Sequence, residues 1–239
     1  MESAREYTSP RLGEALPYSL ERHDMSARRP ESVVLQVDST VSGIDGLSWL
    51  TDRRDAESRL RLANLQREAT SEGWSWTDLT RARLKHLRPR RAEINELGSA
   101  YLASLTPGVV DAANALRRAG IAVALASDVA AEALFAVATA LGVSPNELYA
   151  PRLRFDAIGA YVGCDLNAAR VGEESEATGL HATLGSPRTL FVGTHRSAVF
   201  APRGSDAFVA FSGVVAREPR ADAVAAVSSF HDLAALVLR

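Results

Sequence analysis

Lysine is almost missing from this chain: Lys85 is the only one, and arginine supplies the rest of the 27 basic side chains. Cysteine is as scarce. Cys164 stands alone, which excludes a disulfide framework and any cysteine-based metal cluster. His23, His86 and His181 are scattered and form no constellation with each other or with Cys164. No stretch approaches the ~20 consecutive apolar residues of a membrane span, and the N-terminus lacks the apolar core of a secretion signal. A cytoplasmic location is therefore expected. A net charge of −2 gives no reason to invoke nucleic acid or an anionic membrane as partner. Internal repeats and low-complexity tracts are also lacking.

What is present is an ordinary globular composition, 46% hydrophobic and 23% charged over 239 residues. That length suits one domain with a large insertion, or two small ones. Residues 1–31 are polar, arginine-rich and broken by Pro10, Pro17 and Pro30. They read as an arm, either disordered or docked on the core, on a partner protein or on a second copy of the chain. The run Ser32-Val33-Val34-Leu35-Gln36-Val37-Asp38-Ser39-Thr40-Val41 then reads as a buried parallel strand that delivers polar side chains at its C-terminal end. Open α/β sheets hold their chemistry there.

A loop at Gly43-Ile44-Asp45-Gly46 leads into a strongly helical stretch up to about residue 104. Leu60, Leu62, Leu65, Leu79, Leu84, Leu87, Ile94, Leu97 and Leu102 recur there near helical spacing, and Pro89 marks a turn between helices. Leu105-Thr106-Pro107-Gly108-Val109 reads as a helix start with Thr106 as N-cap, and Gly120 ends that helix. Ile121-Ala122-Val123-Ala124-Leu125 is a second buried strand, which implies a right-handed parallel crossover. A helix over 130–141, a β-hairpin over 148–156 and 159–163, a strand over 189–193 and a final helix near His231 complete the expectation.

The run Gln36-Val37-Asp38-Ser39-Thr40-Val41 resembles the first motif of the haloacid dehalogenase superfamily, in its phosphoserine phosphatase branch, where the pattern is Asp-x-Asp-Ser-Thr. Thr106-Pro107-Gly108, the hairpin and the stretch 205–218 are similar to the same branch, so the resemblance covers about residues 33–235 in order. It implies a doubly wound parallel sheet of Rossmann type with an α-helical cap inserted after the first strand. On this reading the core is 32–44 and 105–239, and the cap is 45–104.

The resemblance also implies a site, and this chain departs from it. The family's nucleophilic Asp falls on Gln36, whose amide cannot form an aspartyl-phosphate. The acid/base Asp is kept as Asp38, with Ser39 and Thr40 beside it. The family's phosphate-binding Ser falls on Ala126, next to Ser127. Its lysine falls at about Leu180, and the Asp residues that hold Mg2+ fall on Thr194 and Ala198, with His195 adjacent. One carboxylate does not make a Mg2+ site, and phosphoryl transfer rests on the lost charge compensation. No metal and no cofactor are therefore expected. The substrate-end residues fare better. Asp45 fits the family's amine-binding acid if no gap is opened, whereas a gapped alignment deletes that acid. Arg83 fits the carboxylate clamp, and Trp76 fits the aromatic that covers the substrate. Plain structural roles stand beside each of these: a turn cap for Asp38, a solvated charge for Arg83, helix core for Trp76, a structural imidazole for His195.

Two classes of function follow. One is an enzyme with non-phosphatase chemistry on an amino-acid-like small molecule carrying a sulfate or phosphate leaving group. It would displace or eliminate that group at carbon, with Asp38 or Asp45 as base and Ser39, Ser127 or Thr194 receiving the oxyanion. In its losses the chain resembles the haloacid dehalogenase-like proteins of aziridine-forming, azinomycin-type antibiotic pathways. The other class is a catalytically dead homologue that binds a ligand or a partner protein.

Overall fold

A computed structural model describes residues 29–166, 188–194, 207–215 and 223–239. The arm expected over 1–31 therefore lies outside the described residues except for its last three. Strand β1 (Ser32–Gln36) is buried along its whole length. Its neighbours are β2 (Ala122–Ala126) on one side and β6 (Thr189–Gly193) on the other, both parallel to it. β3 (Leu148–Tyr149) extends the sheet beyond β2, and β7 (Ala207–Phe211) and β8 (Ala225–Val227) extend it beyond β6. The order is β3-β2-β1-β6-β7-β8, with every pairing parallel.

Such a sheet is buried on both faces, which is why its strands read as continuous apolar runs rather than alternating ones. Val33, Leu35, Val123, Leu125, Leu190, Val192, Val209 and Phe211 point into the larger core. Val34, Ala124, Ala126, Phe191, Phe208 and Ala210 point to the opposite face, with Tyr149. The larger core is roofed by α5 (Val109–Arg118), α6 (Ala131–Leu141) and α7 (Phe230–Leu238).

Between β1 and α5 the chain forms four helices: α1 (Gly46–Asp52), α2 (Ala56–Glu72), α3 (Trp76–Leu87) and α4 (Arg91–Ala103). Local signals start them. Asp45, Asp55 and Ser75 each accept a hydrogen bond from the backbone N–H three residues on, satisfying one of the helix's orphan donors. Glu93 ties the segment together, because Arg54 forms a bidentate pair with it at 2.5 and 2.9 Å and the Arg90 N–H donates to it at 2.7 Å. Helix α4 lies on α6 of the core with no space to spare: a Cβ at Gly98 would meet the Ala133 carbonyl oxygen at 3.0 Å.

Three expectations need correcting. The first strand, expected to run to Asp38, ends at Gln36, and 37–41 form a wide turn. Thr106 does not cap α5. Its hydroxyl donates to the Thr40 carbonyl at 2.6 Å and its N–H to Val41 O at 2.9 Å, while α5 begins only after Gly108 in the left-handed region. Residues 148–149 are not part of the hairpin but the outermost strand beside β2; the antiparallel pair is β4 (Arg152–Phe155) with β5 (Tyr161–Asp165). Pro151, which has no N–H to offer a ladder, separates the two roles. Leu60 is 60% exposed and Leu102 41%. The buried stripes run instead through Leu62 and Ala69 on α2, and through Ile94, Leu97, Gly98 and Tyr101 on α4.

Candidate functional site at the strand ends

The C-terminal ends of β1, β2 and β6 lie side by side, because Gln36 is in register with Ala126 and Leu35 with Val192. After Gln36 the chain makes one wide turn, Val37–Val41, closed by Ser42 N–H to Val37 O at 3.0 Å. Ser39 sits in this turn at φ +56°, in the left-handed region that non-glycine residues seldom occupy. Its N–H donates to Ile44 O at 2.9 Å, so the turn folds the start of α1 back over the strand end. This is the geometry that points Asp38 inward.

Asp38 is 6% exposed, and both of its oxygens are occupied. Oδ1 accepts from the Gly46 N–H at 2.8 Å and from the Tyr101 hydroxyl at 2.5 Å. Oδ2 accepts from the Ser127 hydroxyl at 2.6 Å. Burial pushes the Asp38 carboxyl above the usual carboxylate range; the donors from Ser127, Tyr101 and Gly46 oppose that, and the nearby charge of Asp45 adds to it. Burial first, then the Asp38 charge, pushes the Tyr101 phenol well above its ordinary value, so the shared proton stays on the tyrosine. Ser127 is itself held, accepting from the Val129 N–H at 3.2 Å and donating its own N–H to Tyr149 O at 3.0 Å.

Gln36 is buried two residues before Asp38, and its Oε1 accepts from the Thr194 N–H at 2.9 Å and from the Thr194 hydroxyl at 3.4 Å. A neutral amide thus joins the ends of β1 and β6 at the positions where the resemblance expects two acids.

The sequence-derived residues Gln36, Asp38, Ser127 and Thr194 are brought together here. Ser39 and Thr40 lie in the connecting turn, Ser39 partly exposed and Thr40 fully buried with its hydroxyl unpartnered. Asp45 flanks the group but spends one oxygen capping α1 at Ser48 N, 2.8 Å away. Arg83 is engaged on the helical segment, where its guanidinium donates to Gln66 Oε1 of α2. Trp76 is the first residue of α3. His195 and Ala198 lie outside the described residues. Tyr101 and Gly46 are additions that the sequence reading missed. A buried tyrosine in an apolar helical stripe usually finds a partner for its hydroxyl, and that is the one signal that could have pointed to it.

The donor set does not fit a magnesium ion. Mg2+ asks for several hard oxygens in near-octahedral array. Gln36 Oε1 already accepts from Thr194, and both oxygens of Asp38 already accept from three donors. Among the described residues no three His, Cys, Asp or Glu side chains gather at one point.

No family model matches the chain. The chain is 26% identical to phosphoserine phosphatase from Rattus norvegicus over 191 residues, covering 79% of this chain and 84% of that one. It is likewise 26% identical to the Homo sapiens enzyme over 194 residues, with the same coverage. Among solved structures, a phosphoserine phosphohydrolase-like protein from Francisella tularensis superposes with a TM-score of 0.69, over 87% of this chain and 99% of that one at 15% identity. The phospho-aspartyl intermediate analogue of phosphoserine phosphatase gives 0.60, over 84% and 95% at 16% identity. The fold is that of the haloacid dehalogenase superfamily, and the chain is phosphoserine phosphatase-like. Within that fold it carries Gln36 bonded to Thr194 at the end of the central strand. Among the described residues, no helix is long and apolar enough to cross a membrane.

Proposed function

We propose that this phosphoserine phosphatase-like chain does not hydrolyse phosphomonoesters and instead acts, without a metal, at a carbon atom of an amino-acid-like molecule. The observation that carries the reading is Asp38: a buried carboxylate of raised proton affinity at the strand ends, beside a neutral amide where a nucleophile would stand. The substrate's own amine attacks the carbon bearing a sulfate or phosphate ester. The C–N bond forms as the C–O bond breaks, the electron pair leaves on the oxyanion, and Asp38 takes the proton from the resulting ammonium. Thr194 and Ser127 would receive that oxyanion, releasing the bonds they make to Gln36 and Asp38. Intramolecular closure of this kind gives an aziridine, the ring made in the antibiotic pathways that the pattern of losses resembles. In this arrangement Asp38, not Asp45, is the base, since Asp45 is committed to capping α1. The helical segment 45–104 serves as the substrate-covering cap, with Arg83 as carboxylate clamp and Trp76 as cover.

The test uses O-sulfo-L-serine and O-phospho-L-serine with metal chelated, following the released anion by ion chromatography. Release is expected, and Asp38→Asn should cut it by ~10²-fold or more, the usual loss when a general base is removed. Asp45→Asn should leave both release and stability near wild type, because Asn caps a helix as well as Asp. Arg83→Ala should raise KM more than it lowers kcat, as removal of a clamp remote from the reacting bond does. Thermal stabilisation by these esters with no anion released would favour the second reading, a ligand-binding homologue without turnover. The engagement of Asp45 and Arg83 within the protein suits that reading. Neither stabilisation nor release would remove both.

A further inference from the structure

We propose that Tyr101 is the positioning residue of the strand-end site: from the inserted helix α4, its hydroxyl sets the orientation of the Asp38 carboxylate. This rests on Asp38 being the working group of the site. It assigns a role to a residue that neither the motif nor the alignment of functional positions contains.

Three features carry it. Tyr101 is wholly buried, so its one polar atom must find a partner inside, and that partner is Asp38 Oδ1 at 2.5 Å. Both approaches are cleared by glycines. One turn earlier on the same helical face, Gly98 lets α4 settle against the Ala133 backbone, which fixes how deep the phenol reaches. From the other side, a Cβ at Gly46 would stand 1.9 Å from the Tyr101 hydroxyl oxygen and 3.0 Å from Asp38 Oδ1. The phenol therefore fits only because position 46 has no side chain, and the same Gly46 adds its N–H to Oδ1. With Oδ1 held by these two donors, Oδ2 is turned toward Ser127.

The division of the carboxylate follows. Oδ1 is the fixed, structural oxygen, and Oδ2 with the Ser127 hydroxyl is the pair on which a proton can be accepted or passed. Where the resemblance expects lysine and metal to balance the charge, three neutral donors from α1, α4 and the end of β2 surround it instead. Among the described residues, the titratable groups that face Asp38 are Tyr101 and Asp45.

The test needs no substrate. In full-length protein labelled with 13C at Asp carboxyl carbons, the Asp38 signal is assigned by its loss in Asp38→Asn and followed at one fixed pH. Tyr101→Phe keeps the ring in the core and removes only the oxygen, so amide spectra should show an intact fold while the Asp38 carboxyl signal moves. Gly46→Ala should move it too, although the tyrosine is still present. Thr106→Val removes a different, half-buried hydroxyl, the one bonded to Thr40 O. It should leave the Asp38 signal in place, which separates positioning from general destabilisation. An unmoved signal in Tyr101→Phe, or an equal movement in Thr106→Val, would overturn the assignment. Since no ester enters this experiment, failure of the ester assays alone would leave the positioning result standing and remove only the reaction.

Discussion

One methyl group added at Gly46 is expected to lower the stability of the protein by about 3 kcal/mol, the sum of an overpacked contact and weakened buried hydrogen bonds. The new Cβ would lie 1.9 Å from the Tyr101 oxygen and 2.9 Å from its Cζ, distances at which something has to move. The phenol cannot swing outward, because Tyr101 is 0% exposed and packed in the α4 stripe with Ile94 and Leu97. Moving α4 instead would break its close seat on Ala133. Either retreat takes the hydroxyl from Asp38 and leaves a buried carboxylate short of a donor. Tyr101→Phe on the Gly46→Ala background removes the most crowded atom, so the double variant should lose less than the two single losses added together. Urea denaturation of the four proteins measures this. Gly46→Ala within about 0.5 kcal/mol of wild type, the range of an ordinary surface change, would contradict the packing described.

The second large effect is on pH dependence. Because burial raises the Asp38 carboxyl in the folded state above its unfolded value, the folded protein holds that proton more tightly. Stability from this group is therefore greatest at low pH and declines as pH rises from about 4 through the folded-state titration of Asp38, levelling off above it. Asp55 works in the opposite sense: its lowered carboxyl, held mainly by the Ser58 N–H, favours folding above pH ~4 and loses that contribution as pH falls. Subtracting one variant from another isolates Asp38. Asp38→Asn keeps an oxygen for Tyr101 and Gly46 and presents an N–H2 to Ser127, whose oxygen has lone pairs to accept it. Its melting temperature should gain on wild type as pH rises from about 4, so that at neutral pH the variant is at least as stable. A calorimetric series in which wild type gains on the variant with rising pH would show that the donors outweigh the burial.

The strands nearest the site were plain in the sequence because parallel strands buried on both faces leave unbroken apolar runs. Ala122–Ala126 and Thr189–Gly193 stand within a residue of where those runs placed them, while Ser32–Gln36 begins where expected and stops two residues before Asp38. The alternating helices and the Gly120 stop were equally local signals, and so were legible. Thr106 was misread because a threonine before proline has the chemistry of a cap, yet its hydroxyl found a carbonyl 66 residues away. Leu60 and Leu102 share the helical spacing of the buried leucines yet are exposed, because spacing alone does not say which edge of the stripe faces the core.

The site divides the same way. Which residue occupies each motif position can be read from a line of letters, so Gln36, Asp38 and Thr194 were all found. What those residues bond to cannot. Gln36 meets Thr194 across a separation of 158 residues, and Asp38 meets Tyr101 across 63. Tyr101 looked like one more apolar residue of α4, and Gly46 like one more loop glycine. Their meaning exists only once α1 and α4 close over the end of β1.

The end of β1 holds an amide bridge, Gln36 to Thr194, where the resemblance expects a metal-binding carboxylate, and the proposed function rests on the loss of aspartyl-phosphate chemistry there. The most direct measurement is release of inorganic phosphate from O-phospho-L-serine and from an aryl phosphate, as a function of added Mg2+, by wild type and by Gln36→Asp. Any release should be independent of Mg2+ in both proteins, because restoring one acid leaves Thr194 and the three-donor cage of Asp38 in place, and residues that act as a unit are not recovered singly. Mg2+-dependent release by wild type, saturating at micromolar to millimolar metal, would contradict the account.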